Sequence, residues 1–522
     1  MIERKKTMEL RCDKGYLILP ASFNARKKRL LFYLEDTLVF DLVVQLDYFE
    51  PEFLFPVDIR RFKGKTLRVE CDRDIALRLE TTDDPGLDHS GKYRPLAHFT
   101  SQRGWINDPN GLTYHNGRYL MCYQHNPAAT TWENMHWGSA ESEDLVHWQE
   151  RGDVLFPDQD GTVFSGSGIV DSRNVSGLKQ GEEDTILYFY TCAGNFSEAS
   201  KGKPFTQRLA YSPDGGKTLI KYPKPLLEHI VGENRDPKVI YYEPEKCYIM
   251  ALYLDGHEFG LFRSENIFDW EELQRITLPD DAECPDLYPL SVGEAGIKWI
   301  FSGASDRYYI GSFDGRRFTP ESDELRLNWG DRSYAAQSWS GLPGGRIVRT
   351  AFINTVIPGQ PFGCCMDIPQ EMSLRTVNGA RRLCAWPVDE IKKLYTDTKR
   401  FENIPVSETA PFMYKVGSKA CDIILTAGCT SDLRLSLFGL DIEYLAEKEL
   451  LRCGECEAPV SGEGGLLTLR VIYDTLSAEI YADSGSVFMG IANIQDSTLD
   501  TLLLTGSAVI KQLLISGLGP FF

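Results

Sequence analysis

The chain has 522 residues, 42% hydrophobic, 11% aromatic and 25% charged, an ordinary soluble composition that at roughly 100–200 residues per domain predicts about three domains. Lys and Arg number 56 against 75 Asp and Glu, a formal charge of −19, which argues against nucleic acid and anionic membranes as partners. No window approaches the ~20 apolar residues of a membrane span, and the opening residues run into Arg11, Asp13 and Lys14 without the apolar core of a secretion signal, so a cytoplasmic protein is expected. Its thirteen cysteines are then expected as reduced, buried small hydrophobes. Cys453 and Cys456 lack the second pair of ligands that a zinc site needs.

Over residues 10–71 the pattern is strand-like. The apolar runs 30–34 and 38–44 flank the acidic turn Glu35-Asp36 and predict a hairpin, and 66–70 alternates as a strand should. Residues 1–92 are expected as a small N-terminal β domain that ends in a polar linker at 81–91. Packing, homo-oligomer formation and shaping of a binding site are all open as its role.

Residues 93–385 are expected as the next domain, and within them about Tyr93 to Phe352 carry a weak internal repeat: a Ser, an Asp or Asn two residues on, and a large apolar residue about four beyond. It occurs at Ser142/Asp144/Trp148, Ser212/Asp214/Leu219, Ser264/Asn266/Trp270 and Ser312/Asp314/Phe318, each following a strand-like run, as an outer hairpin closed by an Asx-type turn would. Between these hairpins, short polar motifs each open a strand: Asp108-Pro-Asn-Gly111, Phe164-Ser-Gly-Ser167, Arg235-Asp-Pro237, Glu283-Cys-Pro-Asp286 and Tyr334-Ala-Ala-Gln337. Five starts roughly 50–70 residues apart predict a five-bladed β-propeller, whose equivalent positions face one end of a central channel. Pro387 and the apolar spacing up to Leu394 predict a short helix within a linker at 386–402. The β pattern over 403–522 predicts a C-terminal β-sandwich, so the expected fold is all-β throughout.

In such a propeller Asp108, Asp236 and Glu283, far apart in sequence, converge on one funnel. Glycosidic cleavage needs one carboxyl group to protonate the departing oxygen and, in the retaining mechanism, a second to attack the anomeric carbon. Acidic residues at strand ends are usually only solvated. Trp105, Trp132 and Phe164 set these apart, because aromatic faces beside carboxylates suit the C–H surface of a sugar, although each ring would serve equally well as blade core.

Trp105-Ile-Asn-Asp-Pro-Asn-Gly111, Tyr123-Gln-His-Asn-Pro127, Met135-His-Trp-Gly138, Phe164-Ser-Gly-Ser167, Arg235-Asp-Pro237 and Glu283-Cys-Pro-Asp-Leu-Tyr288 resemble, in order, the motifs of glycoside hydrolase family 32, the invertases, inulinases and levanases. The resemblance implies that Asp108 is the nucleophile, Glu283 the general acid and then base, and Asp236, beside Arg235, the residue that holds the fructose hydroxyls. It places Asn107, Gln124, Trp132, Phe164 and Ser165 around the terminal fructose, and implies no metal and no organic cofactor. Glu283 is expected to stay protonated near neutrality, and the two reacting carboxyls to stand about 5–5.5 Å apart, as retention requires. Asp474-Thr-Leu-Ser-Ala-Glu479 resembles the family's sandwich signature, with a structural role.

Ser139, Arg332-Ser333 and Phe352 depart from the family pattern; the last two are expected to border the funnel. The activity implied is release of terminal fructose from sucrose or short fructo-oligosaccharides. A fructosyltransferase would use the same carboxylates. An arabinan-directed enzyme or a non-catalytic sugar-binding propeller would not need all of these motifs.

Overall fold

The computed structural model describes residues 6–72, 77–293, 296–428, 430–492 and 500–522. Residues 1–5, at the start of the stretch read for a secretion signal, and Cys429 of the cysteine count lie outside them. Among the described residues, seven strands make two sheets before residue 83. The hairpin expected around Glu35-Asp36 is there: Lys28–Leu34 pairs antiparallel with Thr37–Val44. Leu30, Phe32, Phe40, Leu42, Leu67 and Val69 close a core between the two sheets.

Five antiparallel sheets come next in chain order, each built on four principal strands. Their innermost strands are Gly104–His115, Thr162–Asp171, Arg235–Tyr242, Asp286–Ser291 and Ser333–Ser338. Each innermost strand touches the next and the fifth touches the first, which closes the ring of a five-bladed propeller. A parallel pairing of Phe362–Gly363 with Gly104–Trp105 ties the last blade to the first. Among the second strands of the blades, Thr185–Ala193 (TILYFYTCA) is buried along its whole length and Cys247–Asp255 along all but its last residue. Their β-branched and aromatic residues pack against the neighbouring blade on both faces, so the core lies between the blades and not in the channel.

The Ser/Asp repeat sits where an outer hairpin needs it. Strands His136–Ser142 and Gln149–Leu155 flank the first copy, and Asp144 Oδ1 accepts the backbone N–H groups of Val146 and His147. Glu258–Ser264 and Glu271–Thr277 flank the third, where Asn266 Oδ1 accepts from Phe268 and Asp269. A side-chain acceptor in the turn substitutes for a strand partner there.

One expectation needs correcting. Pro387 does not start a helix; it ends the last propeller strand, Ala380–Pro387, and the next element is a single 3-10 segment, Asp389–Leu394. The sandwich then begins at Tyr395, inside the stretch expected as linker, with the strand Tyr395–Ser407. This strand is charged and largely exposed along its edge, the composition that protects a sheet edge from pairing with other chains, so its sequence has the look of a linker. It pairs with Thr501–Leu518, an 18-residue strand that also pairs with Cys421–Gly428 and Leu433–Leu437.

The sandwich grips the propeller through its Asp474 and Glu479. His98, buried ahead of the first blade, holds Nδ1 2.9 Å from Asp474 Oδ2 and Nε2 2.6 Å from Glu479 Oε1. Asp474 also accepts the backbone N–H groups of Leu96 and Ala97, and Glu479 that of Ile368.

Candidate functional site

The innermost strands of four blades carry the same irregularity. Between Ile106 and Pro109, Val163 and Gly166, Arg235 and Lys238, and Tyr334 and Gln337, two residues stand opposite one on the neighbouring strand. Such bulges turn a side chain out of the pleat. The displaced residues are Asn107-Asp108, Phe164-Ser165, Asp236-Pro237 and Ala335-Ala336, so the bulge is what aims Asp108, Ser165 and Asp236 into the funnel. In the fourth blade Glu283 and Cys284 precede the strand at Asp286. Asp236, Glu283 and Ala335 have φ of 64°, 57° and 58°, a left-handed backbone that costs a non-glycine residue about 1–3 kcal/mol and clusters at functional sites.

The result is one cavity of about 340 Å³ lined by Asn107, Asp108, Gln124, Trp132, Met135, Phe164, Ser165, Phe196, Glu233, Arg235, Asp236, Glu283, Tyr334 and Phe352. Every residue that the family resemblance marks as catalytic or sugar-binding lies on its wall. Oxygens of Asp108 and Asp236 and the Cys284 sulfur all fall within 4.8 Å of one another. Cys284 Sγ is 3.4 Å from Asp108 Oδ2 and 3.5 Å from Asp236 Oδ2, and so bridges the two acids. Ser165 Oγ–H donates to Asp108 Oδ2 and Asn107 Nδ2 to its Oδ1 at 3.1 Å. Arg235 Nη2 donates to Glu283 Oε1 at 2.6 Å, and its Nε is 3.7 Å from Asp236 Oδ2. Tyr334 Oη–H donates to Glu283 Oε2 at 2.8 Å. A few residues further along the same strands, the buried pair Lys238–Asp286 at 3.1 Å ties blades three and four together.

The electrostatics result from burial. Loss of water pushes the Asp108 carboxyl up to about 6; the Ser165 hydroxyl opposes this and the Glu283 charge adds to it. Burial likewise lifts Asp236 to about 7, against Arg235 and with Asp108 and Glu283. Burial works against the Arg235 charge, but Asp236 and Glu283 outweigh it and hold the guanidinium firmly protonated. The Cys284 thiol is raised by burial and by the three carboxylates, so it stays protonated and donates. Two buried acceptors, Asn107 Oδ1 and Gln124 Oε1, have no partner among the described residues, and so present lone pairs to a ligand's hydroxyl groups.

These residues sit within a longer similarity. The model of the glycosyl hydrolases family 32 N-terminal domain matches residues 98–387. The chain belongs to glycoside hydrolase family 32. It is 33% identical to the levanase of Bacillus subtilis (strain 168) over 345 residues, which cover 60% of this chain and half of the levanase. It is 28% identical over 425 residues to an extracellular exo-inulinase of Meyerozyma guilliermondii, covering 75% and 78% of the two chains. In fold, it superposes on the crystal structure of the exo-inulinase from Aspergillus awamori with a TM-score of 0.76 at 22% identity, over 83% of this chain and all of the other.

Against the family 32 pattern the departures fall in different places. Phe352 does line the cavity, edge-on to Tyr334 with ring centroids 6.1 Å apart. Arg332 and Ser333 do not: the Arg332 N–H reaches Gly490 O of the sandwich, and Ser333 is buried against the same glycine. Ser139 is buried within its sheet and donates to Gly152 O at 3.1 Å. Trp105, one of the aromatic candidates, is turned into the blade core beneath Gly363.

Phe196, Glu233, Met135 and the Tyr334 hydroxyl were not anticipated as parts of the site. Phe196 lies in the loop after Thr185–Ala193, and an aromatic residue in the polar run Gly194-Asn-Phe-Ser-Glu198 was the available signal. Tyr334 opened a recognised blade motif, but its reach to Glu283 depends on the distance between blades.

Proposed function

We propose that this family 32 chain is a retaining β-fructofuranosidase that releases terminal fructose from sucrose or short fructo-oligosaccharides. The observation that carries the reading is the convergence of Asp108, Asp236 and Glu283, from three blades, on one cavity whose free acceptors and aromatic rings suit a furanose ring. The names of the relatives, levanase and exo-inulinase, support the substrate class.

In this mechanism the Asp108 carboxylate attacks C2 of the fructosyl unit. The bond from C2 to the glycosidic oxygen breaks with its electron pair, and Glu283 gives that oxygen its proton. A fructosyl ester of Asp108 results. Glu283, now a carboxylate, takes a proton from water while the water oxygen attacks C2 and the ester bond breaks. Fructose leaves with retained configuration, and both carboxyls return to their starting states. Ser165 and Asn107 orient Asp108. Asp236 and Arg235 hold the sugar hydroxyls, and Asp236, as a carboxylate, offsets the positive charge that develops at C2 and the ring oxygen. Buried thiols such as those of Cys122, Cys247 and Cys421 fit a reducing compartment, where short imported fructosides are the accessible substrates.

The test is release of fructose from sucrose, inulin-type and levan-type oligosaccharides. Free fructose is expected from at least one of them, with a fall of about 10²–10⁴-fold for Glu283→Gln. Sugar binding without turnover on any of them would overturn the reading. Fructosyl-sugar products in place of free fructose would make sugar the acceptor.

A further inference from the structure

We infer that the N-terminal domain is a specificity device for the sugar cleft: it grips the two loops that carry Trp132 and Phe196 and thereby sets where the outer aromatic wall stands. The inference rests on the fructosidase reading, and deepens it by giving a task to a domain that precedes the family match at residues 98–387.

The grip is built from the edge strand Thr37–Val44 of that domain. Val43 N–H donates to Asn134 Oδ1 and Val43 O accepts from Asn134 Nδ2, both at 2.8 Å. A single amide side chain thus takes the place of a neighbouring strand. Asn134 has a φ of 50° and also donates to Asn126 Oδ1 at 3.0 Å, so its side chain ties loop 127–135 both to its own blade and to the domain. At the other end of that loop Ala128 is buried in the core of the N-terminal domain. Trp132 lies between these two anchors.

The second loop is held by the same strand. Asp41, buried and paired with Arg29, accepts the N–H of Ala199 at 3.1 Å, three residues after Phe196. A third contact, Gln159 Nε2 to Leu38 O at 3.1 Å, holds the connector that leads into Phe164 and Ser165.

These loops deliver one aromatic wall. The Trp132 ring meets Phe164 and Phe196 edge-on, each at 6.0 Å, and Phe164 meets Phe196 at 5.0 Å. Trp132 and Phe196 remain 42% and 36% exposed, at the rim of the cavity. No described residue of the N-terminal domain lines that cavity, so the domain acts on the sugar only through the loops, and Asn134 and Asp41 are positioning residues. Exposed loops left free would have to be ordered by the sugar itself, at a cost in affinity that the domain removes in advance. Asp108 and Asp236 stand on innermost strands and Glu283 just ahead of one, outside this grip, so its loss should weaken binding and spare the chemical step.

The test uses the full chain and the variants Asn134→Asp and Asp41→Ala, with kcat and KM measured on sucrose and on inulin-type oligosaccharides. Asn134→Asp keeps size and left-handed backbone but turns a carboxylate oxygen toward Val43 O and Asn126 Oδ1. Asp41→Ala acts from the other side and carries the test alone if the first variant fails to fold. Each is expected to raise KM about three- to tenfold with kcat within about twofold of wild type. Asn134→Asp should not raise KM further when Trp132→Ala is already present, nor Asp41→Ala when Phe196→Ala is, because the ring through which each acts is gone. An unchanged KM in a folded variant, or a full additional effect on the matching background, would overturn the inference. Failure of the wild type to turn over any fructoside would overturn the fructosidase reading instead.

Discussion

Tyr334 donates its phenolic proton to Glu283 Oε2 at 2.8 Å, while Arg235 occupies the other oxygen of the same carboxyl at 2.6 Å. The general acid of the proposed mechanism is therefore held from both sides, by residues of the third and fifth blades, before any sugar arrives.

Removing the phenolic hydroxyl leaves the acid free to rotate. Tyr334→Phe is expected to lower kcat about 10–10²-fold, as misplacement of a reacting group does, with the fold intact by circular dichroism. A kcat within twofold of wild type would show that Arg235 alone positions Glu283.

The raised Asp108 carboxyl has a kinetic consequence. Attack at C2 needs the carboxylate, so the acid limb of kcat/KM, which reports the free enzyme, is expected near pH 6, where Asp108 titrates, and not near its ordinary 3.8. A pH profile that stays flat down to pH 5 would contradict this.

The same burial has a cost in stability. Between about pH 4 and 7 the folded chain keeps protons on Asp108 and Asp236 that the unfolded chain releases. The associated stability is fully present below pH 4 and is lost as pH rises through about 6 and 7. Asp108→Asn, neutral at every pH, is expected to be more stable than wild type at pH 7.5 by about 1–3 kcal/mol and to lose that advantage at pH 4. Denaturant melts at the two pH values measure it; an equal difference at both would assign the gain to packing.

The clasp between sandwich and propeller titrates in the opposite regions. Burial opposes the charged His98 ring, but its bonds to Asp474 and Glu479 outweigh this and lift it to about 10, so its contribution is full below about pH 6.5 and lost as pH rises through 10. Burial opposes the Asp474 charge too, yet His98 and the backbone N–H groups hold the carboxyl below its ordinary 3.8, so that contribution is present above pH 3.8 and lost in acid. His98→Ala leaves two carboxylates buried without their cation and is expected to cost about 3–5 kcal/mol. Equilibrium unfolding at pH 7 measures this, and a loss under 1 kcal/mol would mean that the backbone N–H groups suffice.

Much of the site was legible before the structure because its signals are local. Bulge motifs such as Asn107-Asp108 and Asp236-Pro237 are contiguous, and their spacing along the chain matched the blades. Phe196 and the Tyr334 hydroxyl were missed because each acts across a gap between loops or blades. The strand from Tyr395 was missed because a charged edge strand has no apolar alternation to display.

Taken alone, then, the order of residues determined where the blades begin, where their outer hairpins turn and which acids stand at equivalent places, since period-two patterning and turn chemistry depend on a few neighbouring side chains. The tertiary structure alone decided that Asp108 and Asp236 titrate near neutrality, that Arg235 and Tyr334 share one carboxyl, and that the N-terminal domain reaches the walls of the cleft. Desolvation and contacts across space sum over residues far apart in the chain, and no local pattern records them.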